Sequence, residues 1–313
     1  MTIVVEGLRK TFVTGRRRDK KSVEAVRGVS FEVRSGERLA FIGPNGAGKS
    51  TSIKILTGIL HPSDGSALVL GIVPWESRRQ LAARIGVLFG QRSMLWSELT
   101  PRQSYRMLAA IHGLDRAVER QRVESLLELF DATDLVDQPV RTLSLGQRMR
   151  CELAACLLHE PEILFLDEPT IGLDLLSKQR FRELLIRINE QQKTTIFLTS
   201  HDVADIEQVA QRAIVINHGE VIHDGEVAAM RSSLMATKLI DVALTSAAPP
   251  PTMPGVTVLE HSDTAMKLSV DTTQTPVRTV LDHLLTGTSV SDLTVVDPPL
   301  EEVIASIYER PQT

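Results

Sequence analysis

The chain has 313 residues, 42% hydrophobic and 24% charged, with a formal net charge of −4. That length suits one large domain plus a small one, and the composition is that of an ordinary globular protein, not a disordered or fibrous one. The slightly acidic balance gives no electrostatic ground for nucleic-acid binding, so no nucleic-acid partner is expected.

The opening "TIVVEGLRKTF" alternates as an edge strand does and lacks the apolar core of a signal peptide. The basic stretch "VTGRRRDKKSV" reads as a solvated surface hairpin, with contact to lipid head groups as the second reading. "VRGVSFEV" and "RLAFIG" are short β-rich runs divided by the turn "RSGE". The second run enters "GPNGAGKST", and an apolar-periodic helix is expected from Lys49 to about Leu60, stopped near Gly58 and Pro62. "ALVLGIV" and "RIGVLFGQ" add two more strands.

From about Leu99 to Leu135 the pattern turns helical. Thr100 can cap, Pro101 fits the first helical position, and Gln103 can reach back to close a capping box. The next helix, "DRAVERQRVESLLELF", has its apolar positions at Val118, Val123, Leu126, Leu127 and Phe130. "EILFLDEP" is a near-continuous apolar run of the kind expected for a buried parallel strand. A helix at about 176–192, the strand "TTIFLTS", a helix from Asp202 and the hairpin "RAIVINHGEVIHDGE" follow, the hairpin turning at Asn217, His218 and Gly219.

Beyond about residue 234 a Pro- and Ala-rich stretch sits among the strand-like "LIDVAL", "VTVLEH" and "MKLSV". A helix at about 275–286, the strand "DLTVVD" and a last helix "LEEVIASIYER" complete a small α+β appendage. The longest apolar runs, such as "ILFL" and "TIFL", fall far short of the roughly 20 residues a membrane helix needs. Cys151 and Cys156 fit neither a zinc pair nor a CxxC redox motif and read as small buried core residues.

Gly43, Gly48, Lys49 and Ser50 satisfy G-x-x-x-x-G-K-[ST] between a strand and a helix. Glycines let backbone N–H groups turn inward, and the helix N-terminus adds positive potential. Lys49 is placed to neutralise β- and γ-phosphates, and the Ser50 hydroxyl to ligate Mg²⁺. "ILFLDEPT" supplies the second half of such a site: Asp167, at the strand's carboxyl end, can hold the metal through water, and Glu168 can orient or deprotonate an attacking water. Gln91, after "GVLF", can reach metal or water, and His201, after "IFLTS", can contact the γ-phosphate. "LSLGQRMR", residues 143–150, has the look of a phosphate-binding helix start without the rest of a site.

The order "GPNGAGKST", Gln91, "LSLGQ", "ILFLDEPT", "GLD" and His201 resembles the nucleotide-binding subunit of an ATP-binding cassette (ABC) transporter over about residues 3–225. The resemblance implies an α/β P-loop NTPase fold: an ABC cassette with a RecA-like core, an antiparallel β subdomain and a helical subdomain at about 92–160. That cassette would fill residues 1–234, with a small α+β C-terminal domain at 235–313. It implies ATP and Mg²⁺ as ligands. The phosphate loop would be Gly43, Pro44, Asn45, Gly46, Ala47, Gly48, Lys49, Ser50 and Thr51, with Phe12 stacking on adenine. Ser50, Gln91 and Asp167 would serve the metal, and Glu168, His201 and Gln91 the catalysis. Ser144, Gly146 and Gln147 would form the signature, and Asp174 the dimer-contacting loop.

Two residues depart from the family pattern: Leu145 stands where a glycine is usual and Phe12 where a tyrosine is usual. Phe12 keeps the π-face, and the phosphate-facing Ser144 and Gly146 remain. "LFGQRSMLW", the run from "SLGQRMR" to "TIGLD" and the closing "DPPLEEVIASIYER" resemble stand-alone ATPase subunits of ABC-2 type systems, drug and viologen exporters among them. The implied partners are a second copy of the chain and an integral-membrane permease, at the cytoplasmic face of the cell membrane. Met94, Leu95 and Trp96 read equally as a groove for that permease and as core packing. An importer ATPase, and a soluble cassette ATPase acting on DNA or ribosomes, are the rival readings. The single phosphate loop and the lack of sustained heptads weigh against the soluble ATPase. The tail of roughly 80 residues is short against the importer.

Overall fold

Apolar runs with no alternation need cover on both faces, and in this chain they become a parallel sheet. The structure, a computed structural model, describes residues 1–14, 21–90, 92–233, 237–287, 290–298, 304 and 307. Strands β3 (Arg38–Ile42), β5 (Ile85–Phe89), β6 (Ile163–Asp167), β7 (Thr195–Thr199), β8 (Arg212–Asn217) and β9 (Glu220–Glu226) form a six-stranded sheet in the order β5-β6-β7-β3-β8-β9. The pairs β5–β6, β6–β7, β7–β3 and β3–β8 are parallel. Asn217 leads into the turn at His218 and Gly219, both with positive φ, that joins β8 to β9.

A second, antiparallel sheet is made of β1 (Ile3–Thr14), β2 (Lys21–Val33) and β4 (Asp64–Val69), in the order β2-β1-β4. The opening strand is therefore central and not an edge: Ile3 and Val5 pair with Val33 and Phe31 on one side and with Val69 and Ala67 on the other. Its apolar face closes on the parallel sheet. Phe31, Phe41, Phe165 and Phe197 meet there with ring centroids 5.4–6.1 Å apart. Burial of such rings contributes roughly 2 kcal/mol each.

Helix α1 (Lys49–Leu56) ends earlier than its periodicity suggests, because Ile59 and Leu60 both return their N–H groups to the Lys54 carbonyl. After the short α2 (Arg78–Ala82), the helical insert lies between β5 and β6: α3 (Pro101–Ile111), α4 (Arg116–Leu129) and α5 (Leu145–Leu157). The capping box at Thr100 and Gln103 forms as the sequence indicates. On α4, Val123, Leu126 and Leu127 are buried, as is Phe130 after it, whereas Val118 is exposed. The remaining helices of this unit are α6 (Leu175–Gln192) and α7 (Val203–Val209), the latter capped by Asp202. Cys151 and Cys156 are free and buried in α5, and burial pushes the Cys151 thiol up to about 11.

The chain divides at Gly225 and Glu226 into two compact units. The helix α8 (Val227–Ser233) thus goes with the second unit, where the sequence had grouped it with the first. The second unit holds an antiparallel sheet ordered β11-β12-β10-β13, from β10 (Thr237–Leu244), β11 (Val256–His261), β12 (Ala265–Asp271) and β13 (Val290–Val296). Helix α9 (Val277–Gly287) supplies Val280 and Leu284 to a core with Ile240, Val242 and Leu268. Residues 15–20 of the basic stretch, and most of the last helix, lie outside the described residues; Ile304 and Ile307 are helical and buried. Among the described residues, no helix is long and apolar enough to cross a membrane.

Candidate functional site

Four neighbouring strands, β5, β6, β7 and β3, bring their carboxyl ends to one edge of the sheet, where open α/β sheets bind ligands. After β3 the chain turns through residues 43–48 into α1. Gly48 caps that helix at φ 106°, and a Cβ there would fall 2.4 Å from the Ala25 carbonyl oxygen, so only glycine lets the loop pass. The first N–H groups of α1 lack helical partners and point at the ligand side.

Lys49 is 6% exposed, and its ammonium donates to the Gly43 carbonyl at 2.6 Å and to the Pro44 carbonyl at 3.3 Å. It also lies 3.6 Å from Glu168 Oε1. Glu168 follows the last residue of β6 with φ at 54°, a strained conformation for a side-chain-bearing residue. Its N–H donates to both the carbonyl and the hydroxyl of Thr199, each at 3.1 Å. The other carboxylate oxygen, Oε2, accepts the His201 backbone N–H at 3.2 Å and lies 2.6 Å from His201 Nδ1. One carboxylate is therefore fixed from both sides, between a cation and an imidazole.

Asp167 ends β6. Its Oδ1 accepts from Ser50 Oγ at 3.1 Å and from Thr199 Oγ1 at 2.8 Å. Hard oxygen donors, one of them a carboxylate, suit Mg²⁺, which takes its remaining ligands from phosphates and water. Among the described residues no group of three or more His, Cys, Asp or Glu side chains is arranged to hold a metal unaided. Ser50 and Asp167 thus offer part of a ligand set that phosphate oxygens and water can complete.

All of Gly43–Thr51, with Asp167, Glu168 and His201, line one cavity of about 970 Å³. Lys54, Ile59, Phe89 and Arg92 also line it, and sequence reasoning missed them. Arg92 had a signal in its place beside Gln91; Gln91 itself lies outside the described residues. Phe12 is not in the lining. It stands on β1 with Lys10 Nζ 5.3 Å from its ring centroid.

Ser144, Gly146, Gln147 and Asp174 are not in that lining either. Ser144 caps α5 in a capping box: Ser144 Oγ accepts the Gln147 N–H at 3.2 Å, and Gln147 Oε1 accepts the Ser144 N–H at 2.8 Å. Asp174 caps α6, accepting from the Ser177 N–H at 2.9 Å and from the Ser177 hydroxyl at 2.7 Å. Those two bonds hold the Asp174 carboxyl below the usual carboxylate range. The two helix starts touch. A Cβ on Gly146 would lie 2.5 Å from Ser177 Oγ, and Leu145 packs toward Gly172.

The residues flanking His201 are tied to α6. Asp202 bonds Lys178 at 2.5 Å and Arg182 at 3.2 Å, while buried Asp205 accepts from Arg182 at 2.5 Å, Thr170 at 2.5 Å and Ser200 at 2.8 Å. Met94, Leu95 and Trp96 divide. Leu95 is core, Met94 packs against the core, and Trp96 is 38% exposed.

A family model described as "ABC transporter" matches residues 26–171. The ABC transporter ATP-binding protein NatA of Bacillus subtilis is 35% identical over 214 residues, covering 68% of this chain and 87% of NatA. The daunorubicin/doxorubicin resistance ATP-binding protein DrrA of Streptomyces peucetius is 32% identical over 304 residues, covering 92% of this chain and 88% of DrrA. Among solved structures, cbiO1 from Clostridium perfringens, part of the ABC transporter complex cbiONQ, superposes with a TM-score of 0.64 at 30% identity, covering 75% of this chain and 93% of that one.

Proposed function

The chain belongs to the ABC transporter family, and from that premise we propose that it is the ATP-hydrolysing subunit of a membrane exporter, acting as a head-to-tail pair on a separate ABC-2 type permease. One observation carries the catalytic part: Glu168 is held between Lys49 and His201 at the mouth of the phosphate loop.

In the paired state each ATP lies between the phosphate loop of one copy and Ser144 and Gly146 of the other. Ser50 and Asp167, with Gln91, would hold Mg²⁺, which would supply charge neutralisation at the phosphates. Lys49 balances the same phosphates from inside the loop. Glu168 takes the proton of a water whose oxygen bonds to the γ-phosphorus as the bond to the β–γ bridging oxygen breaks, giving ADP and phosphate. His201 fixes the Glu168 carboxylate through Oε2 and so aims it. The α5 N-terminus offers its N–H groups to the γ-phosphate, which ADP lacks, so ATP favours the closed pair and hydrolysis reopens it.

Support for the pair comes from the surface around the half-site. Leu175 and Leu176, directly after Asp174, are 76% and 67% exposed, an apolar patch suited to a partner. Export is supported by the DrrA match, which runs through both units of this chain. Trp96, with Met107 and Ile111 of α3 also exposed, offers apolar surface on the helical insert to a permease helix, by which the subunit would attach to the cytoplasmic face of the membrane. The second unit, Glu226–Thr313, then serves to support or regulate the pair.

The test is Glu168→Gln. Turnover should fall about a thousandfold while ATP still binds and drives a stable dimer, read by phosphate release and by gel filtration with ATP. Undiminished hydrolysis would remove Glu168 from the reaction.

A further inference from the structure

Helix α5 begins with the half-site, yet its deepest polar group lies about two turns further in. Glu152 is 3% exposed in a helix whose neighbours Cys151, Leu153, Ala154 and Ala155 are all buried apolar or thiol groups. A carboxylate in such a place is costly unless it is bonded. Its Oε2 accepts the backbone N–H of Met94 at 3.1 Å, and Arg148, one turn earlier on α5, stands 3.8 Å from Oε1. Burial pushes this carboxyl above the ordinary carboxylate range. The phosphate chemistry makes no use of Glu152, so its position needs another reason.

Met94 lies on the segment that leaves the cavity. Phe89, at the end of β5, and Gly90 line the cavity, and the Gly90 N–H donates to the Asp167 carbonyl at 2.8 Å. Arg92 lines the cavity too, and its N–H closes a turn onto the Phe89 carbonyl at 2.9 Å. Two residues later comes Met94. Glu152 grips it by the backbone, and Cys156, one turn further along α5, meets it with Sγ 3.2 Å from Sδ. Cys156 Sγ also reaches the Val87 carbonyl on β5 at 3.5 Å.

The rest of the insert is fastened to the same helix. The Tyr105 hydroxyl of α3 donates to the Cys151 carbonyl at 2.9 Å, and Arg150 donates to the Asp131 carbonyl, just after α4, at 2.6 Å. From Glu152 to Ser144 is eight residues of helix, about 12 Å at 1.5 Å per residue. A continuous helix of that length transmits a displacement as a rod.

We propose that Glu152 is a positioning residue: by clasping the Met94 backbone it couples the cavity wall at Phe89, Gly90 and Arg92 to the start of α5, and so sets where Ser144 and Gly146 stand for the second copy's ATP. The proposal rests on the head-to-tail reading for its consequence in turnover, but the coupling itself is a property of one chain. A side chain that accepts from a backbone N–H suits this task because it holds the segment whatever the side chain at 94. Glutamine keeps an acceptor oxygen in the same volume, whereas leucine keeps the volume and leaves the part-buried Met94 N–H without its acceptor.

The experiment uses the full chain with Glu152→Leu and Glu152→Gln, read by amide hydrogen exchange, ATP affinity and steady-state ATPase rate. In Glu152→Leu, exchange at residues 93–95 and at 145–150 should rise together, by about tenfold. ATP affinity and exchange in α1 should stay at the wild-type level, while kcat falls by about tenfold at unchanged KM. Glu152→Gln should restore most of both. The proposal is overturned if Glu152→Leu loosens 93–95 but leaves 145–150 as in the wild type, or if glutamine and leucine behave alike. It is also overturned if ATP affinity falls in step with kcat, since that marks general destabilisation. Wild-type chain that hydrolyses ATP without ever pairing would sink the head-to-tail reading, while the exchange result still decides the coupling.

Discussion

The phosphate pocket and the start of α5 both present helix N-termini, yet they are built on different physics. The pocket concentrates charge. A buried ammonium, two carboxylates and an imidazole are locked to one another within 2.6–3.6 Å through Lys49, Asp167, Glu168, His201 and the hydroxyls of Ser50 and Thr199. The α5 start has no charged residue among its first three, and its polar side chains are spent on each other in the Ser144–Gln147 capping box. A helix terminus alone contributes about 0.3–1 kcal/mol toward an anion near the surface. Charge-assisted bonds such as those of Lys49 contribute about 1.5–3 kcal/mol each. The pocket can hold a triphosphate by itself, whereas the α5 start can only add to one already held. That inequality fits the proposed pairing, in which the second helix start, with Ser144 exposed, acts opposite another copy.

The comparison is tested hardest at Lys49. Replacing it with alanine removes the pocket's buried cation and leaves Glu168 facing phosphate with no cation at 3.6 Å. ATP affinity should fall by about a hundredfold, and hydrolysis with it. Equilibrium binding of ATP to dilute, unpaired chain is the measurement. Loss of less than threefold would mean that the charges of the pocket do not carry the binding.

Gly146→Ala probes the other side with a smaller effect. The new methyl would lie 2.5 Å from Ser177 Oγ, and Ser177 cannot easily yield because Asp174 holds both its N–H and its hydroxyl. Overpacking of this kind costs about 1–3 kcal/mol, so kcat in the paired state should fall by about ten- to a hundredfold. ATP binding to unpaired chain should not change. Adding Ser177→Gly removes the opposing oxygen and should recover most of the rate. A single variant that weakens ATP binding as much as turnover would erase the distinction between the two regions.

What the sequence made legible follows the same division. The pocket's residues are contiguous words: Gly43–Thr51 on one loop, Asp167 and Glu168 at one strand end, His201 at another. Local chemistry also announced the cap at Thr100, since a capping box is written within four residues; the same box at Ser144 and Gln147 went unread beside the phosphate-binding look of that stretch. Contacts between distant segments were not legible. Glu152 reads as one polar position in an apolar helix, and only the approach of Met94, 58 residues earlier, turns it into a buried acceptor. Leu95 and Trp96 are adjacent and equally apolar, yet one enters the core and the other faces outward, which no periodicity in so short a segment can decide. The opening strand looked like an edge because its two partners, β2 and β4, reach it from opposite sides and one of them only after a long excursion through β3 and α1. The left-handed φ of Glu168 likewise depends on Thr199, which grips its N–H from the next strand.

The mildest test concerns the far end of the α5 segment. His159, two residues beyond α5, stacks on His112 at the end of α3 with centroids 3.9 Å apart and an interplanar angle of 10°. Its Nε2–H donates to the Ile85 carbonyl at 2.9 Å, and Nδ1 is buried without a hydrogen-bond partner. Burial, with the neighbouring His112 adding to it, pushes the imidazole down to about 4. An unfolded chain takes up this proton below about pH 6.5, while the folded chain refuses it until about pH 4. Stability from this group is therefore complete above pH 6.5 and is lost as pH falls through that window. At pH 5.5 the loss amounts to about 1 kcal/mol, or about 3 °C in Tm for a unit of this size. His159→Gln keeps an N–H for Ile85 and removes the titration, so its Tm should fall less than that of the wild type between pH 7.5 and 5.5. Equal slopes would show that the helix ends of the insert are not held by a neutral histidine pair. A steeper wild-type slope, with ATP affinity of unpaired chain unchanged at pH 6, would place the acid-sensitive part of the molecule at the far end of the α5 segment and not in the phosphate pocket.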